Sequence, residues 1–427
     1  MGTEALQLVL GLDKFTEYAG RVWISTHGDL DSYEVFNGLG SGVQRRLVGM
    51  VRAAEAATWE DARSAIIVCH SEPGAWALPQ PLYETRPCPP IPLGEAAYVV
   101  ARAMFESDRL SKLHVERCNQ MGEVWVPTEF HRSIFAASGV QPAKLQVVPE
   151  PVDTAFFDPT KHKPLPLPLG LRVFGPAWPH PKLAGSGAAA AQADGGKGGG
   201  QAEPFVFLSV FKWEARKGWD VLLRAFLSAF TAADNVLLLL HTKPFHSEPD
   251  FPQQMQAWAR KELGQTVAGD TSRLPSVYVL SDHIPQSHFP RLYKSADAFV
   301  LPTRGEGWGL PIVEAMSMGL PVIATNWSGP TAYLDSGVGY PLPIEGLVTV
   351  GPDGGAFAGH RWADPSAQQL VRLMKHVVAH RQEAAARGLA ARRRMASRYS
   401  PDAVAEVVAQ QLRQIEIGLA AGQRRAG

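Results

Sequence analysis

Cysteine is scarce in this chain: three residues in 427, at positions 69, 88 and 118. An odd number with no C-x-x-C spacing indicates neither a disulfide framework nor a zinc site, so Cys69, Cys88 and Cys118 are expected to be buried thiols. Net charge is missing as well, since 41 basic residues face 41 acidic ones. Electrostatic capture of nucleic acid is therefore not expected. No uninterrupted apolar run approaches the roughly 20 residues of a membrane span. The opening MGTEALQLVLGLDKF carries acidic residues where a signal peptide would be basic. A soluble, cytoplasmic protein is the expectation, with organelle import open if the N-terminus is incomplete.

Two tempting loops also lack a necessary residue. Gly38, Gly40 and Gly42 do not complete G-x-G-x-x-G, because the sixth position is Val43 and no clean strand precedes them. Asp29, Asp31 and Glu34 have no glycine where an EF-hand loop requires one.

What is present is ordinary globular composition, 45% apolar and 19% charged, over a length that suits two domains. One stretch, AFVLPTRGEGWGLPIVEAMSMGLPVIATN at 298–326, organises the rest. It predicts a strand, a glycine-rich loop, a helix started near Pro311 and stopped at Gly319, and a second strand parallel to the first. A helix N-terminus at the carboxyl end of a parallel strand presents unpaired N–H groups, which favour phosphate. Glu306 in the loop and Glu314 in the first helical turn are separated by seven residues. Carboxylates repel a diphosphate, so these two are expected to accept hydrogen bonds from hydroxyls on either side of it, those of a ribose and of a sugar. For Glu314 alone the helix macrodipole is a sufficient structural reason. Glu306, between Gly305 and Gly307, has no such reason.

The segment EGWGLPIVEAMSMGLPVIATNWSG resembles the E-x7-E segment of retaining glycosyltransferases of family 4. That resemblance implies the GT-B fold: α/β, with two Rossmann-like, doubly wound parallel-sheet domains facing a cleft and a C-terminal helix crossing back to the first domain. VWVPTEFHRSIFAASGVQPAKLQVVPEPVDTAFFDP is similar to the end of the family's first domain. The domains are accordingly expected at 1–160 and 205–395, with a Pro/Gly/Ala-rich linker at 161–204 and the crossing helix at 396–427. The family's usual opening strand and glycine-rich loop are not evident before Arg21, so the first domain is expected to be reduced at its start.

In the first domain, strands are expected at 21–26, 65–69, 98–103, 123–128 and 145–150, after a helix over 5–18. The strand at 65–69 delivers His70 to its carboxyl end, where α/β proteins place ligand contacts. A strand-end histidine is as often structural. The resemblance implies that it faces the transferred sugar, with His27 the weaker candidate. Asp108, Arg109 and Arg117 are expected on a solvated helical face. The resemblance implies an acceptor pocket on a variable first-domain loop, here the Pro-rich stretch between Ser71 and Ala97, whose sequence does not reveal the acceptor.

In the second domain, strands are expected at 205–211, 236–242, 277–281, 298–302, 322–325 and 339–342. They alternate with helices, as a doubly wound sheet requires. Lys212, Arg216 and Lys217 cluster between a strand and a helix, where cations neutralise a diphosphate. Lys212 stands where the family has an arginine, and Lys217 matches the family's lysine. The loss of a bidentate fork at 212 weakens the expected grip on phosphate without removing the charge. By the same resemblance Ile284 lies against the nucleobase, and Trp308, Gly309, Leu310 and Pro311 line the donor. Asp364 and Pro365 are expected to start one helix and Pro401 the last.

The function expected is transfer of a sugar from a nucleotide-diphosphate donor to a hydroxyl acceptor, and the resemblance implies that configuration is retained and that no metal or other cofactor is needed. Glu306 and His70 serve the transferred sugar. Lys212, Lys217, Glu314 and the loop–helix junction hold the donor. A nucleotide-sugar epimerase of the same fold and a non-catalytic nucleotide-sugar-binding scaffold are the rival readings.

Overall fold

The computed structural model describes residues 3–25, 34–76, 87–167, 170–177, 204–244, 250–264 and 271–422. His27, Asp29 and Asp31 lie outside the described residues, as do 77–86 of the expected acceptor loop and 178–203 of the expected linker.

The first sheet grows from short apolar runs that each end at a polar residue. Helices α1 (Thr3–Leu12), α2 (Ser41–Ala56) and α3 (Trp59–Ser64) precede strand β1 (Ile66–His70). Then follow β2 (Tyr98–Arg102), α4 (Lys112–Gln120), β3 (Glu123–Val126), α5 (Glu129–Ser138) and β4 (Leu145–Val147). The four strands pair in sequence order, all parallel. Because side chains alternate across a strand, the two faces build two cores. Val99, Ala101 and Val124 pack with Phe135 of α5 on one face. Tyr98, Val100 and Trp125 pack on the other with Leu8 and Leu12 of α1 and with Val404, Val408 and Leu412 of the last helix.

The second sheet contains β5 (Leu171–Phe174), β6 (Phe205–Trp213), β7 (Val236–Pro244), β8 (Ser276–Leu280), β9 (Ala298–Leu301), β10 (Val322–Thr325) and β11 (Tyr340–Leu342). Their order is β11-β10-β9-β6-β7-β8-β5, parallel except for the edge strand β5. Helices α6 (Trp219–Ala229), α7 (Phe251–Leu263), α8 (Phe289–Lys294) and α9 (Leu310–Ser317) connect the strands. A hairpin of β12 (Ile344–Thr349) and β13 (Arg361–Pro365) precedes α10 (Ala367–Ala379), α11 (Arg381–Arg394) and α12 (Pro401–Ala420). The apolar runs of β6 to β10 are buried on both faces, as a sheet covered by helices on each side demands.

Several expectations need correction. Residues 22–25 form no strand; Ile24 instead sends its N–H to the Met50 carbonyl and packs on Leu47 and Met50. Part of the expected linker is β5, which finds its partners only on the far edge of the second sheet. Asp364 and Pro365 belong to β13, and the cap of α10 is Ser366, whose hydroxyl accepts from the Gln369 N–H at 3.3 Å. Cys69 and Cys88 form a disulfide, with their Cα atoms 5.7 Å apart. Only the return of the chain past the end of β1 brings them together. Cys118 is the buried thiol, its pKa pushed up to about 12 by burial.

Asp108 is also not on a solvated helix. It lies ahead of α4 and accepts from the backbone N–H of Arg361 at 2.7 Å and from its guanidinium at 2.8 Å. Beside it, Ser107 and the Nδ1 of His360 are hydrogen-bonded at 2.8 Å. The hairpin of the second domain is thereby fastened to the first. Arg117 donates inward as well, to the carbonyls of Pro73 and Gly74 at 2.7 and 2.6 Å.

Candidate active site between the two sheets

The loop between β9 and α9 holds the first acid. Gly305 is required by the neighbouring domain: a Cβ there would stand 2.2 Å from the Glu106 carbonyl oxygen, just past β2. Gly309 takes a φ of 92°, a conformation that an L side chain resists, and so turns the chain into α9. Between them Glu306 is buried, and its N–H donates to the Ser328 hydroxyl at 2.9 Å.

Two cations meet the Glu306 carboxylate. Lys217 Nζ lies 2.7 and 2.9 Å from its two oxygens, and the Arg216 guanidinium is 3.9 Å away. Burial by itself raises the pKa of Glu306, but the charges of Lys217 and then Arg216 outweigh it and hold the group below the ordinary range. Glu306 is therefore an anion at neutral pH. Arg216 also donates to the Gly305 carbonyl at 2.6 Å and to Glu214 at 2.8 Å, and it lies 3.7 Å from Glu106 of the first domain. It ties the loop to both domains.

Glu314 stands in the second turn of α9 rather than the first, one step past the turn where the helix dipole would account for it. Its carboxylate accepts from the Tyr293 hydroxyl at 2.7 Å. Burial pushes its pKa up to about 8, the Tyr293 hydrogen bond opposes this, and the charge of Glu4 in α1 adds to it. The two acids of the motif thus differ in protonation. Glu306 is ionised, while Glu314 is mostly neutral at pH 7.

His70 ends β1 as expected from the strand pattern. Its pKa falls to about 4, first through burial, with Glu150 opposing and Arg102 adding to the shift. The ring is neutral at physiological pH, and its Nδ1 is buried without a hydrogen-bond partner. Arg102 and Glu150 beside it form a buried ion pair at 2.9 Å. Neither was singled out from sequence. The available signal was a charged residue closing an apolar run at the carboxyl end of its strand, Arg102 after YVVA.

Of the remaining candidates, Trp308 is a core residue, its ring 5.0 Å from Tyr333 and 5.4 Å from Tyr399. Its carbonyl accepts from the Tyr333 hydroxyl at 2.5 Å. Gly309, Leu310 and Pro311 form the entry to α9, and Ile284 is buried after β8. Lys212 is near enough to feel the charges of Glu214, Lys217 and Arg216. It is exposed near the end of β6 with Lys243 as its register partner, and partial desolvation and then that neighbouring charge lower its pKa.

A cavity of about 1080 Å³ opens between the domains beside this cluster. His70, Arg102 and Glu106 line it from the first domain, and Arg216, Phe357 and Trp362 from the second. Of the expected site residues His70 lines this cavity, while Glu306 and Lys217 adjoin it through Arg216 and Glu314 is not in its lining. The cavity lies at the carboxyl ends of both sheets, where open α/β folds bind ligands.

Residues 203–360 match the family model described as Glycosyl transferases group 1. The D-inositol 3-phosphate glycosyltransferase of Acidothermus cellulolyticus is 24% identical over 255 residues, which are 58% of this chain and 46% of that protein. The O-antigen chain mannosyltransferase B of Escherichia coli is 50% identical over 44 residues, 10% of this chain and 12% of that protein. Matched stretches therefore span less than half the length of these curated relatives. The crystal structure of Anabaena Alr3699/HepE in complex with UDP has a TM-score of 0.59 at 15% identity, with 96% of each chain covered. The chain therefore has the GT-B glycosyltransferase fold of two Rossmann-like domains, and its second domain carries the match to glycosyl transferases group 1.

Proposed function

We propose that this protein transfers a sugar from a nucleotide-diphosphate sugar to a hydroxyl acceptor, with the anomeric configuration kept and without a metal. The observation that carries the proposal is the buried Glu306 carboxylate held by Lys217 beside the N-terminus of α9, next to Arg216 of the cavity lining. Diphosphate binds at the N–H groups that open α9 and beside Lys217, and it shares that lysine with Glu306. Departure of the diphosphate is the largest charge change in the reaction, and fixed donors aimed at it lower the barrier most. Glu306, as an anion, accepts from the hydroxyls of the transferred sugar. Glu314 accepts from the ribose through its free carboxyl oxygen. Neutral His70 offers its unpartnered Nδ1 to the sugar as a positioning contact.

The complex of Anabaena HepE with UDP makes uridine nucleotides the first to test. Thermal-shift titration with UDP, GDP and ADP sugars should find one base that stabilises the fold, and Glu314→Ala should abolish that shift. NMR of the product with a saccharide acceptor should show the donor's anomeric configuration, and chelator should leave turnover unchanged. A donor consumed without acceptor and returned as its epimer would replace transfer by epimerisation. Binding without any turnover would reduce the protein to a scaffold.

A further inference from the structure

We infer that Cys88 is a site of S-thiolation: the thiolate of a small cysteine peptide opens the Cys69–Cys88 disulfide there, and the opening loosens one wall of the interdomain cleft. The inference goes beyond the transfer reading and does not depend on it. Cys69 is the residue before His70 in β1, and side chains alternate across a strand, so the crosslink leaves the face opposite His70. There Cys69 is fully buried in a core shared with Cys118 of α4 and Phe135 of α5. Cys88 is only partly buried and lines an open pocket of about 200 Å³ with Trp76, Ile91, Arg117 and Met121.

Three features of this pocket select the sulfur and the reagent. Access comes first: exchange requires a thiolate to reach a disulfide sulfur, and Cys88 stands on the open side while Cys69 is closed off. Charge is next. Arg117 donates to the carbonyls of Pro73 and Gly74 and forms no ion pair among the described residues, so its charge favours an approaching thiolate over the thiol. Finally, Trp76 Nε1 is buried with no hydrogen-bond partner. Such groups normally have one, and a peptide carbonyl of the reagent supplies it. The exchange balances: a bond forms between the reagent sulfur and Cys88 Sγ as the bond to Cys69 breaks. Cys69 Sγ leaves with the electron pair and takes up the proton that the reagent thiol lost, so no oxidant or reductant is consumed. Residues 71–76 are then held by the two Arg117 bonds and by the Cys88 N–H on the Trp76 carbonyl at 3.0 Å, without the covalent tie to the end of β1. Ser71 and Glu72 of that segment line the interdomain cavity beside His70.

The test incubates the full chain with glutathione under native conditions, quenches in acid and maps the cysteines by mass spectrometry, with Cys118→Ala as a background that leaves only the two bridged sulfurs. Glutathione should be found on Cys88 and a free thiol on Cys69. Amide hydrogen exchange over 71–76 should then run about tenfold faster than in the untreated protein, with β2 and β3 unchanged. If Cys118→Ala loses its melting transition, the wild-type chain decides, since each cysteine falls on its own peptide. An adduct on Cys69, no adduct, or one that forms only in urea overturns the assignment. Unchanged exchange over 71–76 in the Cys88 adduct overturns the link to the cleft. Both readouts are independent of nucleotide binding and turnover, so a failure of the transfer reading leaves them intact.

Discussion

Lys217 and Glu306 are bonded through both carboxylate oxygens, at 2.7 and 2.9 Å, in a site nearly closed to water. The pair links the basic turn before α6 to the glycine loop before α9, two segments 89 residues apart. It also sets the charge of the site before any ligand arrives, because the anion is already neutralised.

Removing one partner of this pair is expected to cost far more than removing both. Lys217→Met leaves a buried carboxylate beside Arg216 alone and should lower the unfolding free energy by about 3–5 kcal/mol. The double variant Lys217→Met with Glu306→Gln should recover most of that loss. Urea unfolding of the three proteins checks it, and a double variant no more stable than the single one contradicts the pairing.

The acid in α9 predicts a pH dependence of the opposite kind. Glu314 has a folded-state pKa raised to about 8, so the folded chain keeps a proton that the unfolded chain gives up. Its contribution is complete below the ordinary carboxylate pKa and is lost as pH rises towards about 8. Glu314→Gln, which cannot ionise, should melt several degrees above the wild type at pH 9 and close to it at pH 4. Equal melting differences at the two pH values would show that folding leaves the Glu314 pKa unshifted.

Gly305 predicts a coupling between loop and domain contact. Its missing Cβ admits the Glu106 carbonyl, so Gly305→Ala forces the loop and the first domain apart and should destabilise by about 1–3 kcal/mol. Nucleotide binding should weaken along with it, read by calorimetry with UDP. An alanine variant with wild-type stability and affinity would mean that this contact opens freely.

The Cys69–Cys88 bond predicts a thiol count. Denatured, unreduced protein should show one reactive thiol, Cys118, and three after reduction. Cys88→Ser should lower stability by about 3 kcal/mol, the order expected for closing a loop of this size. Three thiols before reduction would remove the crosslink.

Much of the fold was legible because it depends on local rules. Apolar runs bounded by turn residues located β1 to β4 and β6 to β11, and their alternation with helices predicted parallel, doubly wound sheets. Pro401 marked the start of the last helix. The strand expected at 21–26 failed because an apolar run becomes a strand only where a ladder partner exists, and Ile24 finds a helix carbonyl instead. β5 was missed because a short edge strand gains its partner from chain 103 to 108 residues on, which no local pattern announces.

The sequence by itself determined which chemical groups stand at strand ends and loop–helix junctions: His70, Lys217, Glu306 and Glu314 follow from periodicity, glycine placement and spacing. Tertiary structure alone decided their states and companions. It joined Lys217 to Glu306, buried Glu314 against Tyr293 until its proton is held, and set Lys212 beside Lys243. It also recruited Arg102, Glu150 and the β12–β13 hairpin to the cleft. The physical reason is that ionisation and pairing depend on distance and desolvation. Those quantities arise only when segments far apart in the chain pack together.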